Sequence, residues 1–227
     1  MNTCEWLISF LQNILASLVG ILIALWLDSL KRPHLSFSIG SRHSIESGDT
    51  LGRPPMTWIR LLVHNRNVPS WLSWVYHGEP ALTCRATISY YYEDGKEMPE
   101  KTIEGRWTDS PEPEVHTFTV KDKGQVGMLV GAENSFDIQP GEDTHLDIAI
   151  RKKDDDSCFC WNNKSYLIGW FPSKYYIGSK GRFLVKVRIK TGGHDYIDVF
   201  WMINDEGYEG FRLEPVDKAM KKTLCKL

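Results

Sequence analysis

From Trp6 to Leu27 the chain runs twenty-two residues without a charged side chain, and no other feature limits its fold so severely. At a helical rise of about 1.5 Å per residue the run extends roughly 33 Å, against roughly 30 Å for the hydrocarbon core of a bilayer. A buried helix of a soluble domain rarely needs that length. Trp6 and Trp26 stand at the two ends, where indole rings favour the headgroup layer, and Asp28, Lys31, Arg32 and Pro33 stop the run. The segment therefore reads as a transmembrane helix over residues 6–27, with Trp6, Trp26, Lys31 and Arg32 at the membrane interface. A cleaved signal peptide would need a basic start, a shorter apolar core and small residues before the cut. Met1 to Glu5 carries no Lys or Arg, and Leu25, Trp26 and Leu27 are bulky, so the helix is expected to stay in the mature protein.

The flanks set an expected orientation. On the N-terminal side stands only Glu5, whereas Lys31 and Arg32 follow the C-terminal end. Positive-inside reasoning puts the tail of residues 1–5 outside and the remainder in the cytoplasm of a cell-membrane protein. Within the helix Ala16, Gly20 and Ala24 recur every four residues, with Ser9, Asn13 and Ser17 near the same face. Small residues let helix backbones approach closely, and Asn13 or Gln12 could bond across a pair, so this stripe is a candidate for homo-oligomer packing.

About 195 residues remain beyond the helix, enough for a sizeable core without disulfides. Their 27 Lys and Arg balance the 27 acids left once Glu5 and Asp28 are set aside. A nucleic-acid module would show a basic excess, so nucleic acid is not an expected partner. The cysteines Cys4, Cys84, Cys158, Cys160 and Cys225 form an odd set without framework spacing, which suits a reducing compartment. Asn163-Lys164-Ser165 would accept a glycan only in a secreted domain.

Past a linker over residues 28–33, period-two alternation dominates. Strands are expected at residues 35–39, 58–65, 82–92, 102–107, 115–120, 125–130, 135–138, 145–151, 166–170, 182–190, 196–202 and 207–213. Leu82, Cys84, Ala86, Ile88 and Tyr90 should share one face, and Glu93-Asp94-Gly95-Lys96 carries a hairpin signal. Residues 40–56 read as a loop. Short strands separated by Gly, Pro, Asp and Asn clusters, with no long amphipathic helix among them, predict an all-β domain over residues 34–214. That domain should be a β-sandwich, of an immunoglobulin-like kind. Two stretches break the alternation. Pro69 to His77 fits a two-turn helix with Trp71, Leu72, Trp74 and Val75 on one face. It either caps the core or places Trp71 and Trp74 in the membrane interface. Residues 215–227 read as a short basic helix that packs on the domain or presses its lysines against anionic lipid.

Sites of chemistry are sparse. Cys158 and Cys160 share strand spacing, but a structural zinc wants a second pair, and none exists. Neither a Gly-x-Ser-x-Gly elbow, a His-Glu-x-x-His helix, a Walker loop nor a dinucleotide fingerprint is present. No catalytic, cofactor-binding or metal-binding residue is therefore assigned, and the chain is not expected to be an enzyme. The aromatic groups Tyr90-Tyr91-Tyr92 and Tyr175-Tyr176 are expected to serve the core and cross-strand pairs. The chain reads as a single-pass membrane protein whose domain is an interaction or sensing module for a protein partner still to be identified. Its rivals are a ligand-triggered effector that clusters through its helix and a membrane-tethered hydrolase.

Overall fold

The structure, a computed structural model, describes residues 3–45, 55–74, 77–120, 124–130, 133–152, 156–168, 173–205 and 210–225. It opens with helix α1 (Thr3–Lys31), which contains one window, Ile8–Leu30, long and apolar enough to cross a membrane. No part of that window is buried against the rest of the chain. The helix runs four residues past the expected end at Leu27, so the link to the β domain shrinks to Arg32, Pro33 and His34.

Most of the remainder is β-structure in two antiparallel sheets. In the first, strands run in the order β1 (Leu35–Ile45), β2 (Met56–Asn65), β9 (Asp143–Lys152), β10 (Cys158–Cys160), β11 (Tyr176–Gly178), with the two-residue β5 (Arg106–Trp107) also on β9. The second has the order β14 (Phe211–Pro215), β13 (His194–Asn204), β12 (Gly181–Thr191), β3 (Ala81–Tyr91), β4 (Glu97–Glu104), with β8 (Ser135–Ile138) on β3. A separate ribbon pairs β6 (Glu114–Val120) with β7 (Gly124–Val130).

Alternation explains the core. Ile59, Leu61 and Val63 of β2 face Cys84, Ala86, Ile88 and Tyr90 of β3 and Val185, Val187 and Ile189 of β12 within one buried cluster. Each of the Val, Leu and Ile side chains among these contributes about 1.5–3 kcal/mol by leaving water. The Tyr90 hydroxyl donates to the carbonyl of Ile148, bonding one sheet to the other through the core. Trp107 is fully buried, donates from Nε1 to the Cys84 carbonyl at 3.0 Å and stacks on Phe136.

Several elements depart from expectation for identifiable reasons. The strand expected over residues 102–107 splits between the two sheets at Gly105, where an added Cβ would sit 2.9 Å from Leu146 Cδ1 and 3.0 Å from Ala86 Cβ. Only a residue without a side chain lets the chain cross there. Leu82 does not join the core face. Thr83 has φ of 50° and the pairing with β8 slips between Ala81 and Cys84, which turns Leu82 outward at 49% exposure. Residues 40–45, read as loop, extend β1. The stretch read as a strand over 166–170 is helical as far as it is described, in α2 (Asn163–Ile168). Its start is fixed by reciprocal bonds, Ser165 N to Asn162 Oδ1 and Asn162 N to Ser165 Oγ, each 2.8 Å, and this capping outweighs the aromatic and β-branched residues that suggested a strand. The two-turn helix expected over 69–77 is a turn through Trp74; residues 75 and 76, Val75 among them, lie outside the described residues.

At the C-terminus, α3 (Lys218–Leu224) starts at Asp217, whose carboxylate accepts from the Ala219 and Met220 amides at 3.0 Å. Leu224, Met220 and Val216 lie on Leu184, Val199, Trp201 and Ile203, covering the outer face of the second sheet. Lys221 reaches Asp198 at 2.6 Å, so one lysine of this basic helix is directed at the domain.

Candidate functional site at the helix–domain junction

The short link after α1 is bonded on several sides. The Tyr196 hydroxyl, from β13, donates to the Pro33 carbonyl. Burial pushes the Tyr196 phenol pKa up, so the group keeps the proton this bond requires. The next residue, His34, donates its amide to Asn65 Oδ1 at 3.2 Å and accepts at its carbonyl from Arg66 N at 3.0 Å. Asn65 is fully buried, and its Nδ2 donates to the carbonyls of Ile138 at 3.0 Å and Glu79 at 3.2 Å. Its backbone exchanges bonds with the tight turn at Gly141 and Glu142. One asparagine thus joins the helix exit, the end of β2, the approach to β3 and the β8–β9 turn. Losing such a buried amide costs about 1–3 kcal/mol for each partner left unsatisfied. Sequence reading missed both Asn65 and Tyr196; an amide ending an apolar strand was the available signal for the first.

Beside this knot lies the turn at residues 69–74. Leu72 and Val68 are buried and hold it to the domain, while Leu72 N donates to the Pro69 carbonyl at 2.8 Å and Ser73 N to the Ser70 carbonyl at 3.3 Å. Trp74 Nε1 donates to the Trp71 carbonyl at 2.9 Å. With Leu72 turned inward, the two indoles point out: Trp71 is 61% and Trp74 85% exposed. Trp71 also stacks on Trp26 of α1, ring centroids 6.1 Å apart and planes 23° from parallel. Of the expected interface residues, the structure therefore brings Trp26, Trp71 and Trp74 together, while the Arg32 guanidinium lies 3.5 Å from Asp28 one turn back. Trp6 stacks on Phe10 at the far end of the helix, and Lys31 is the last residue of α1. Ala16, Gly20 and Ala24 line one face of α1, exposed, with no atom within 4 Å of the place a Gly20 Cβ would occupy.

Among the described residues, recesses of mixed polar and apolar lining open on the β domain. One of about 710 Å³ adjoins the tryptophan turn and is lined by Asn67, Ser70, Ser73, His77 and Gln139. Another, about 450 Å³, lies between β4 and α2 among Glu100, Glu104, Asn134, Lys164 and Tyr175. On its floor Asn163 is buried, accepting from Arg106 Nη1 at 2.5 Å and donating to Asn134 Oδ1 at 2.8 Å. Nearby Asp147 is buried under Arg60, Nε to Oδ1 2.8 Å, and accepts from Thr108. Burial pushes the Asp147 carboxyl pKa up, and the Arg60 charge opposes that rise.

Cys158 and Cys160 point into the core, where burial lifts both thiols to about 12, and Cys84 is lifted to about 11. Such thiols remain protonated at neutral pH and are poor nucleophiles and ligands. Among the described residues no three His, Cys, Asp or Glu side chains converge on a point that could hold a metal. Among the described residues His64 Nδ1 lies 2.6 Å from Asp143, an exposed contact between neighbouring strands. The chain matches no protein-family model, and no curated protein is similar enough to count as a relative.

Proposed function

We propose that the protein is a single-pass membrane protein whose β domain, packed as a sandwich, serves as an interaction or sensing module at the cytoplasmic face of the cell membrane. The observation that carries this reading is the apolar helix Ile8–Leu30, none of whose apolar window is buried, joined to the domain by a short link that is itself hydrogen-bonded at Pro33 and His34. In water such a helix would leave Ile8, Leu15, Leu18, Leu22 and Leu25 exposed, at about 25 cal/mol for each Å² of apolar surface. Lipid removes that cost. The sandwich form is supported by two antiparallel sheets that share one core, with connections passing between them at β2–β3, β8–β9 and β11–β12. An immunoglobulin-like kind of sandwich remains part of the proposal.

Three features support the cytoplasmic side. Lys31 and Arg32 follow the helix. Cys84, Cys158 and Cys160 are free and buried. Asn163, the residue a glycan would modify, has its amide enclosed and bonded at both ends, so a glycan there is incompatible with the fold.

The mechanism is recruitment: holding the domain in two dimensions raises its effective concentration toward a protein partner. Lateral packing along Ala16, Gly20 and Ala24 would couple that event to a homo-oligomer. Detergent pulldown of the full chain beside a Gly20→Leu variant tests both, with alkaline extraction of membranes as the prior check. Recovery of the same partner set with a lower self-association of the variant supports the reading. Release of the protein by alkaline extraction removes it.

A further inference from the structure

We propose that the turn bearing Trp71 and Trp74 is a second membrane-binding element, a wedge in the headgroup and upper acyl layer that fixes the domain's tilt on the bilayer. This deepens the proposal above and rests on α1 spanning the membrane.

The argument is one of depth. Trp26 lies four residues before Leu30, the end of the apolar window, or about 6 Å along the helix axis. Helical side chains tilt toward the N-terminus, so the Trp26 ring lies deeper than its own Cα. Trp71 is stacked on that ring, so an inserted α1 places the Trp71 indole in the interfacial layer. The turn cannot be lifted away independently. Leu72 and Val68 are buried in the domain, and Pro33 and His34 are bonded to Tyr196 and Asn65.

Composition agrees with position. Outside α1, the large apolar side chains exposed among the described residues are Ile39, Trp71, Trp74, Leu82, Tyr92 and Tyr176. The two most exposed are the tryptophans of this turn, and Leu82 follows shortly after it. Tryptophan is the residue the interface favours most. The Trp74 nitrogen already donates to the Trp71 carbonyl, so its ring can enter the layer with that donor satisfied. Arg32 and exposed Arg66 flank the helix exit, where lipid phosphates would lie.

The pose follows. β3 leads away from this end, and its eleven residues reach roughly 35 Å to the hairpin turn at Glu93–Lys96, which stands clear of the bilayer. The domain is thus seated on the membrane by two contacts instead of swinging on a flexible linker. Anything that changes headgroup packing acts directly on its attachment, which gives a sensing role a physical input.

The test uses the full chain reconstituted into phosphatidylcholine–phosphatidylglycerol vesicles, in a Cys4→Ser, Cys225→Ser background that leaves the buried thiols in place. An environment-sensitive fluorophore is attached in turn at Val19→Cys, Trp74→Cys and Lys96→Cys, and quenching is read with lipids carrying nitroxides at shallow and deep positions. The expected result is deep quenching at 19, predominantly shallow quenching with blue-shifted emission at 74, and water-like emission at 96. Position 19 quenched with 74 behaving like 96 overturns the wedge while the span stands. Absence of quenching at 19 overturns both.

Discussion

Tryptophan divides this molecule into two regions that obey different rules. Trp58, Trp107, Trp161 and Trp201 lie within the β domain and are at most 9% exposed; Trp6, Trp26, Trp71 and Trp74 lie on α1 or on the turn touching it, at 49–85% exposure. The first four are held by edges and hydrogen-bond acceptors of the protein, as in the Trp58–Trp161 edge contact at 5.9 Å and the Trp107 bond to Cys84. Those of the second set have few protein contacts: Trp6 stacks on Phe10 of its own helix, Trp26 on Trp71, and Trp74 bonds to the backbone of Trp71. Burial is what a folded chain gives an indole in water. On the proposed membrane placement, the exposed set marks where lipid would take over from protein packing.

The comparison breaks first at the buried set. Trp107→Ala should cost about 3–5 kcal/mol, because it opens a cavity between the sheets and strips the Cys84 carbonyl of its donor. Denaturant titration of the full chain in detergent measures it. A loss below about 1 kcal/mol would mean that Trp107 is not a central packing element. Arg60→Met should be of similar size, about 3–5 kcal/mol, since it leaves the buried Asp147 carboxylate without its closest cation. The partial rescue expected of Arg60→Met combined with Asp147→Leu, read on the same titration, separates the lost charge pair from lost packing.

Alkali should act on the same core. Burial pushes the Cys158 and Cys160 thiols up to about 12 in the folded chain, from an ordinary thiol value of 9.0. The unfolded chain therefore ionises these thiols first. Their contribution is complete below pH 9 and falls as pH rises from there toward 12, by about 1.4 kcal/mol per thiol for each pH unit. Cys160→Ala should flatten the alkaline limb of the stability profile while lowering the plateau near neutrality. An unchanged slope would show that this thiol is not buried as described.

How much of this was legible in the chain depends on whether a local rule decided the matter. The apolar run, the alternation of Phe183, Val185, Val187 and Ile189, and the Asp94-Gly95 turn, with Gly95 at φ of 82°, are local, and reading them in sequence was sufficient. Where a distant contact decided, the reading went astray. Gly105 divides a strand because Ala86 and Leu146 crowd it from elsewhere in the chain. Leu82 turns outward through a kink at Thr83, whose amide bonds Asp137, fifty-four positions away. At the junction the aromatic residues were visible, but whether Trp71 and Trp74 cap the core or stand exposed turned on Leu72 filling the inward place. Asn65 and Tyr196 act only through chain segments that sequence order does not bring together.

The smallest effect on stability is expected at the exposed set, and it sharpens the contrast most. Trp74→Ala should move the denaturation midpoint by no more than about 0.5 kcal/mol, because an indole 85% exposed has little protein packing to lose. The Trp26–Trp71 stack should show a coupling of about 0.5–1.5 kcal/mol in a double-mutant cycle to alanine, the range for an aromatic pair. In detergent that coupling reports on the protein alone. In vesicles the single variants also lose interfacial partitioning of the indoles, so Trp74→Ala should become costly there in attachment while remaining silent in folding. A variant whose folding stability is untouched but whose domain loosens from the bilayer separates the two solvents of this chain within one side chain. A Trp74→Ala protein as destabilised as Trp107→Ala would instead place that ring inside the fold and dissolve the division.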